Sequence, residues 1–391
     1  MAGPLDGIKI LDLSSVVLGP LATQILGDLG ADVIKVEGPN GDPIRYTGPA
    51  RSKDMAALFL AINRNKRSLV LDLKEPAAQD AVWGLIDLTD VFIHSIRPQA
   101  IERLGFSHEA VLKRNPRIIY AGVHGYRSGG PYEGQPAYDD VIQGQSGASD
   151  LMARLTGETR YFPTIMADKT CAQIAAYAIL AALFSRERTG NGQFVEIPMF
   201  ESMVSFNMIE HLYGHTFEPP EDEIGYARVL APWRRPYATK DGHIALLAYT
   251  DAHWTNFWEA VGRPGLKDDP RFDSLKRRSE NIAEVYKLAG ESLMDKTTAE
   301  WVKIFGALQV PAAKINGLQD LLNDPQLASS DFFKHTTHPT EGDIVMPDLP
   351  VRFSETKTEI RRLHPKLGEH SREILVEAGL DAASIDALID S

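Results

Sequence analysis

Apolar positions in the first half of the chain fall into short runs that alternate between two periods. Ile8 to Leu13 is apolar enough to be a buried strand; after a break at Gly19-Pro20, Leu21 to Leu29 spaces its apolar residues as a helix does, and Ala31 to Val36 is again strand-like. This is a βαβ unit. A second round runs through Arg67 to Leu73 as strand, Pro76 to Leu88 as helix and Asp90 to His94 as strand. A further strand, Arg117 to Val123, follows a helical stretch around Glu109 to Lys113. Strands alternating with helices in this way predict a parallel sheet covered on both faces, because right-handed crossovers place the helices there.

Past Arg186 the texture changes. Gly190, Gly192, Pro198, Pro219, Pro220, Pro232 and Pro236 interrupt the pattern, a strand pair around Arg235 to Leu247 turns at Lys240-Asp-Gly, and helical stretches run on to about residue 330. The expected organisation is an α/β protein. A large Rossmann-like domain with a parallel sheet spans 1–200 and is rejoined by about 331–391, a linker covers 201–225, and a smaller α+β domain covers 226–330. No internal repeat of fixed period is evident.

A chain of 391 residues has room for two or three domains, and 43% hydrophobic with 24% charged residues is ordinary globular composition, so disordered and collagen-like classes are excluded. Lys+Arg of 41 against Asp+Glu of 53 gives −12, a field that opposes phosphate-backbone binding; nucleic acid is not an expected partner. The single cysteine, Cys171, forms no intrachain disulfide and suits a reducing compartment. Met1 to Ile10 has no secretory or transit pattern, and the longest apolar run, Ala172 to Phe184, falls short of the roughly 20 residues that span a bilayer. The expectation is a cytoplasmic, unprocessed protein without membrane contact.

Several residues carry candidate chemistry. Glu37 ends the second strand, where dinucleotide-binding folds place an acid on ribose hydroxyls, but the preceding turn, Ser14 to Pro20, has only Gly19 where G-x-G-x-x-G is needed. Asp168 stands before a long Ala- and Leu-rich helix. It reads as an N-cap, or as a carboxylate nucleophile kept ionised by nearby amides, able to form a mixed anhydride with an acyl group. Tyr138 reads by default as a partly buried aromatic, and Cys171 lies one helical turn after Asp168 with no sequence-near base to activate it. The 11 histidines show no ligand spacing, so no metal is expected. Lys66-Arg67, Lys74, Arg97 and Arg103 flank strand ends, where phosphates are commonly held, while Arg234-Arg235 and Lys276-Arg277-Arg278 read as surface charge.

These residues sit within motifs that are similar to those of the class III CoA-transferases, the CaiB/BaiF or formyl-CoA transferase-like family. They are Pro4 to Leu13, Gly19-Pro20, Gly30 to Glu37, Asn65 to Ser68, Arg97-Pro98, Ala137 to Gln143, Arg186 to Gly190, Gly192-Gln193 and Leu367 to His370, in the family's order. The resemblance implies two-domain chains interlocked as a homodimer, with coenzyme A on the Rossmann-like domain and no cofactor beyond it. It also implies that acyl-CoA and a carboxylic acid are the substrates, and that Asp168 is the nucleophile that carries CoA through aspartyl anhydride and aspartyl-CoA stages. CoA is expected to meet Lys74, Arg97 and Arg103 through its phosphates and Val17 and Leu71 through its organic portion, with Tyr138 at the reacting end.

The chain departs from the formyl-CoA transferase pattern in three places. Ala231 to Tyr237 replaces a glycine-rich loop, Val17 stands where a glutamine is usual, and Ser95-Ile-Arg-Pro-Gln replaces Asn-Phe-Arg-Pro-Gly, so formate and oxalate are poor substrate guesses. The superfamily's α-methylacyl-CoA racemases pair a histidine with the aspartate. Tyr138 at the matching position is a poor base at neutral pH, which favours transfer over racemisation. A racemase-like isomerase and a noncatalytic CoA-binding protein are the alternatives. The identity of donor and acceptor acids is not legible in the sequence.

Overall fold

The computed structural model describes residues 3–389. The chain folds as two units, one of Met1–Ser149, Tyr161–Phe206 and Ser329–Ser391 and the other of Asp150–Arg160 and Asn207–Ala328.

The first unit is built on a six-stranded sheet of β1 (Lys9–Leu13), β2 (Asp32–Glu37), β3 (Lys66–Val70), β4 (Val91–His94), β5 (Ile119–His124) and β6 (Gln193–Pro198) in the order β3-β2-β1-β4-β5-β6, parallel throughout. Period-2 alternation explains why both faces are buried. Ile10, Val33 and Ile93 point to one side, where the helices Leu18–Asp28 and Met166–Thr189 bring Ala22, Leu26, Ala172 and Ala175 against them. Their neighbours Leu11, Ile34 and Phe92 point to the other, against Ala81, Val82 and Leu85 of the helix Pro76–Leu88 and Ile374 and Leu375 of the helix Ser371–Glu377.

β6 is not apparent from the sequence because its flanks, Gly192 and Pro198, look like breakers and its pattern, Gln-Phe-Val-Glu-Ile-Pro, is half polar; at the sheet edge it pairs only with β5. Gly19-Pro20 does not precede the first helix but lies in its first turn, where the missing proline N–H has no intrahelical role. The Met166–Thr189 helix is 24 residues long and by length and composition apolar enough to cross a bilayer, a longer element than the Ala172 to Phe184 run alone. In this fold its alanine face belongs to the core.

Hydrogen bonds and ion pairs made by buried side chains explain several motif residues. Asn65 accepts from the Arg361 and Arg362 backbone N–H groups at 2.7 and 3.0 Å, Arg67 pairs with Asp32, Glu373 and Glu377, and Ser68 Oγ accepts from Gly368 N–H at 2.9 Å. The Asn65–Ser68 motif therefore lashes the returning C-terminal segment to β3, and Lys66 and Arg67 are structural cations, not phosphate ligands. Arg186 is likewise buried against Asp90 at 2.8 Å, and Gly190, at φ 78°, takes the left-handed position that ends its helix.

In the second unit β7 (Tyr237–Ala238), β8 (His243–Leu246) and β9 (Ala312–Lys314) form an antiparallel sheet, covered by helices that contribute Trp254, Phe257, Trp258, Trp301 and Phe305 to an aromatic core. Arg278, expected on the surface, is 3% exposed; it donates to the Phe272 carbonyl at 2.7 Å and pairs with Asp251. In the first unit, β10 (Phe333–His338) and β11 (Gly342–Pro347) form a separate antiparallel hairpin.

Candidate active site

The strand order reverses between β1 and β4, and the crevice outside the carboxyl ends of such strands is where open α/β sheets take ligands. The turn after β1 is set by charges buried beneath it. Asp12 accepts from Ser14 N–H at 2.8 Å and Thr23 Oγ1 at 2.6 Å, with Lys66 Nζ at 3.4 Å. Lys35 donates to the Ser14 carbonyl at 2.9 Å and to Asp42 at 2.8 Å, and Asp42 accepts from Val16 N–H at 3.1 Å. Burial alone would raise Asp12, but Lys66 and Lys35 hold it below the usual carboxylate range; burial takes Lys66 down to about 7 against the pull of Asp12. This clamp holds Val16 at φ 68°, a left-handed conformation unfavourable for a β-branched residue, and so presents Val17 at the crevice.

Two cavities open there, and Ser15 lines both. The first, about 190 Å³, brings together four of the expected site residues, Val17, Arg97, Tyr138 and Asp168. The second, about 410 Å³, is lined by Leu71 and Lys74 with Glu37 and Leu104. Arg103 lines neither cavity; it is exposed at the end of the helix Pro98–Arg103, next to Leu104. Lys74, Arg97 and Arg103 are exposed and ion-pair with no described residue. Tyr138, expected to be partly buried, is 67% exposed.

Asp168 is not the helix cap. It is the third residue of Met166–Thr189, Ile165 holds the cap position without a side-chain bond, and Oδ1 of Asp139 accepts the Asp168 N–H at 3.0 Å. Asp139 is itself held by Gln143, whose Nε2 donates to it at 2.6 Å and to the Thr164 carbonyl at 3.1 Å. Neither is among the site residues expected from the sequence, although their i, i+4 spacing in the Ala137–Gln143 motif is the signal that could have found them. The expectation that nearby amides keep Asp168 ionised does not hold, since burial, with the like charge of Asp139, pushes its carboxyl up to about 7. A carboxyl titrating there is more basic than an ordinary aspartate yet still half ionised at neutral pH, which suits attack on an acyl carbon.

Two other candidates change place. Cys171 is fully buried and burial takes its thiol up to about 12, so it remains a thiol. Glu37 is saturated from within: Arg45 meets it with two bonds of 2.7 Å, Ser68 Oγ donates at 2.9 Å and Asp42 N–H at 3.0 Å. No acceptor capacity is left for a ribose, which removes the observation that motivated a dinucleotide. No group of three or more potential metal ligands occurs among the described residues.

The sequence model of CoA-transferase family III matches residues 5–371. The chain is 32% identical to a succinyl-CoA:glutarate CoA-transferase of Mus musculus, over 99% of this chain and 89% of the relative. It is 31% identical to a succinyl-CoA:mesaconate CoA-transferase of Haloarcula hispanica, over 97% of each. A crystal structure of a CaiB/BaiF family protein from Brucella suis superposes with a TM-score of 0.80 at 28% identity, covering 97% of this chain and 100% of that one.

Proposed function

The chain belongs to CoA-transferase family III, and on that premise we propose that it moves coenzyme A between an acyl-CoA and a carboxylic acid by ping-pong chemistry at Asp168. The observation that carries this reading is the raised, partly buried carboxyl of Asp168 in one cavity with Val17, Arg97 and Tyr138. An Asp168 oxygen attacks the thioester carbon, the C–S bond breaks, and an acyl-aspartyl anhydride forms as CoA thiolate leaves. The thiolate then attacks the aspartyl carbonyl, which releases the donor acid and leaves aspartyl-CoA. The acceptor carboxylate attacks that thioester, giving a second anhydride and thiolate, and thiolate attack on the acceptor's acyl carbon yields the new acyl-CoA and free Asp168.

Lys74, Arg97 and Arg103 are the proposed cations for CoA phosphates, Val17 and Leu71 the apolar contacts for its organic portion, and Tyr138 the aromatic at the lip. A homodimer, interlocked as the family motifs imply, is part of the same proposal; Tyr177 and Phe184, 60% and 66% exposed on the Met166–Thr189 helix, support a covered surface there. Light scattering reads the dimer as twice the 43.1 kDa chain mass.

The test is a mass-spectrometric screen of acyl-CoA donors against carboxylic acids, with succinyl-CoA as the first donor because the mouse and Haloarcula relatives are named for it. Wild type is expected to produce a new acyl-CoA and Asp168→Ala to lose more than roughly 10³-fold of the rate while staying folded. Transfer by the alanine variant at a near-normal rate excludes the assignment. One observation favours a second reading: a histidine, His124, lines the same cavity as Asp168. Proton exchange at the α-carbon is separated from CoA transfer by incubating succinyl-CoA in deuterated water without acceptor, where an isomerase labels that carbon and a transferase does not.

A further inference from the structure

His124 closes β5 and lines the Asp168 cavity, yet neither the family motifs nor the transfer scheme uses it. Both of its ring nitrogens are buried and neither meets a described residue with good hydrogen-bond geometry, the Ile96 carbonyl being the one backbone acceptor that acts on the ring. Its neighbour His94 closes β4, with ring centroids 5.3 Å apart and planes at 58°. His94 Nδ1 lies 3.1 Å from the Ile96 carbonyl, which fixes its proton on Nδ1, and its Nε2 is also buried without a partner.

Buried imidazole nitrogens left unbonded at the mouth of a sheet are costly unless something else completes them. His94, sealed behind the wall, has the Ile96 carbonyl for Nδ1 and no described partner for Nε2. His124 forms part of the cavity wall, and a turn of its ring is what brings a buried nitrogen to a bound molecule. Burial keeps its ring in the neutral form, with one donor and one acceptor nitrogen. The cavity it lines mixes apolar side chains, Val17, Val123, Ala137 and Met199, with polar ones, Ser95, Arg97, Gln135 and Tyr138.

We propose that His124 is a substrate-positioning residue that donates a ring N–H to the acyl oxygen of the molecule whose carbonyl carbon faces Asp168. This rests on the Asp168 transfer reading. Acyl and anhydride oxygens only accept, so the imidazole's donor is the group they can use. A neutral donor also polarises the carbonyl without doing what a cation would do, which is to pull the Asp168 carboxyl down and weaken it as a nucleophile.

The direct test follows the ring in protein carrying nitrogen-labelled histidine, with succinyl-CoA and free CoA as probes, in the Asp168→Asn background to prevent turnover. The His124 N–H signal is expected to shift with succinyl-CoA and to stay in place with free CoA. Equal response to both, or none to succinyl-CoA, overturns the proposal. In the active enzyme His124→Phe should lower kcat about tenfold or more with a smaller change in the KM for succinyl-CoA, and His124→Asn or His124→Gln, which keep a donor, should recover part of it. An unchanged kcat in folded His124→Phe, or no recovery by either amide, also overturns it, as does α-deuteration that His124→Phe abolishes, since that makes the ring a proton carrier. Activity in Asp168→Ala is a separate failure, that of the transfer reading itself.

Discussion

The backbone N–H of Asp168 donates to Oδ1 of Asp139 at 3.0 Å, so the carboxylate that fixes the start of the Asp168 helix is also a charge that resists ionisation of Asp168. One residue thus bears on both the place and the basicity of the proposed nucleophile. The larger share of the upward push comes from burial, and the Asp139 share is the part that a substitution can remove without opening the cavity.

The pH dependence follows. The attacking species is the carboxylate, so kcat/KM should rise with pH through about 7 and level off above it. Asp139→Asn keeps an oxygen to accept the Asp168 N–H and removes the like charge; its rate profile should rise at lower pH than wild type. A profile flat from pH 5 to 8 in both proteins would show that this carboxyl does not limit the reaction.

Stability should follow the opposite sign. A carboxyl raised from 3.8 to about 7 by folding contributes stability below its unfolded value, and that contribution is lost as pH rises through about 7. The full rise corresponds to ~4 kcal/mol, and partial exposure of the side chain reduces it to on the order of 2 kcal/mol. Asp168→Asn, which cannot ionise, should therefore be more stable than wild type at pH 8, with the gap closing towards pH 4. Urea unfolding at the two pH values measures it, and a gap that is largest at pH 4 contradicts the assignment.

The parallel sheet was legible because its strands are buried on both faces, so runs such as Ile8 to Leu13 are mostly apolar, broken only by Lys9 and Asp12. β6 was not, because an edge strand needs no such run and its Gly192 and Pro198 flanks resemble loop punctuation. Asp168 was legible only through its motif, and its environment was not, since Asp139 and Gln143 reach it by folding back from another helix. Lys66, Arg67 and Glu37 show the limit most plainly. A charged residue at a strand end looks the same in sequence whether it faces a ligand or, as here, a protein partner of opposite sign.

Glu37 tests that distinction. Removing one member of a buried, fully bonded pair leaves the Arg45 guanidinium uncompensated, a loss of about 3–5 kcal/mol. Glu37→Ala should lose stability on that scale in denaturant titration, and wild type should give no saturable NADH fluorescence signal. A stable alanine variant together with NADH binding would return Glu37 to a ribose.

Coenzyme A contacts are tested by truncation. Charge-assisted phosphate bonds are worth about 1.5 to 3 kcal/mol, so Lys74→Ala, Arg97→Ala and Arg103→Ala should each weaken CoA binding on the order of tenfold. The loss should shrink for a pantetheine thioester, which lacks the nucleotide phosphates. Arg103, which lines neither cavity, is the most exacting of the three: equal loss for full-length and truncated thioesters places it away from the phosphates.

The central claim is that Asp168 becomes acylated and then thioesterified during turnover. Hydroxylamine added to the wild-type enzyme while it turns over succinyl-CoA, followed by proteolysis and mass spectrometry, reads this at a single residue. The account predicts a hydroxamate on the Asp168 peptide that forms only with the acyl-CoA present and is missing from Asp168→Asn. An unmodified Asp168 in an enzyme that is transferring CoA, or a hydroxamate on a different carboxylate, would contradict it.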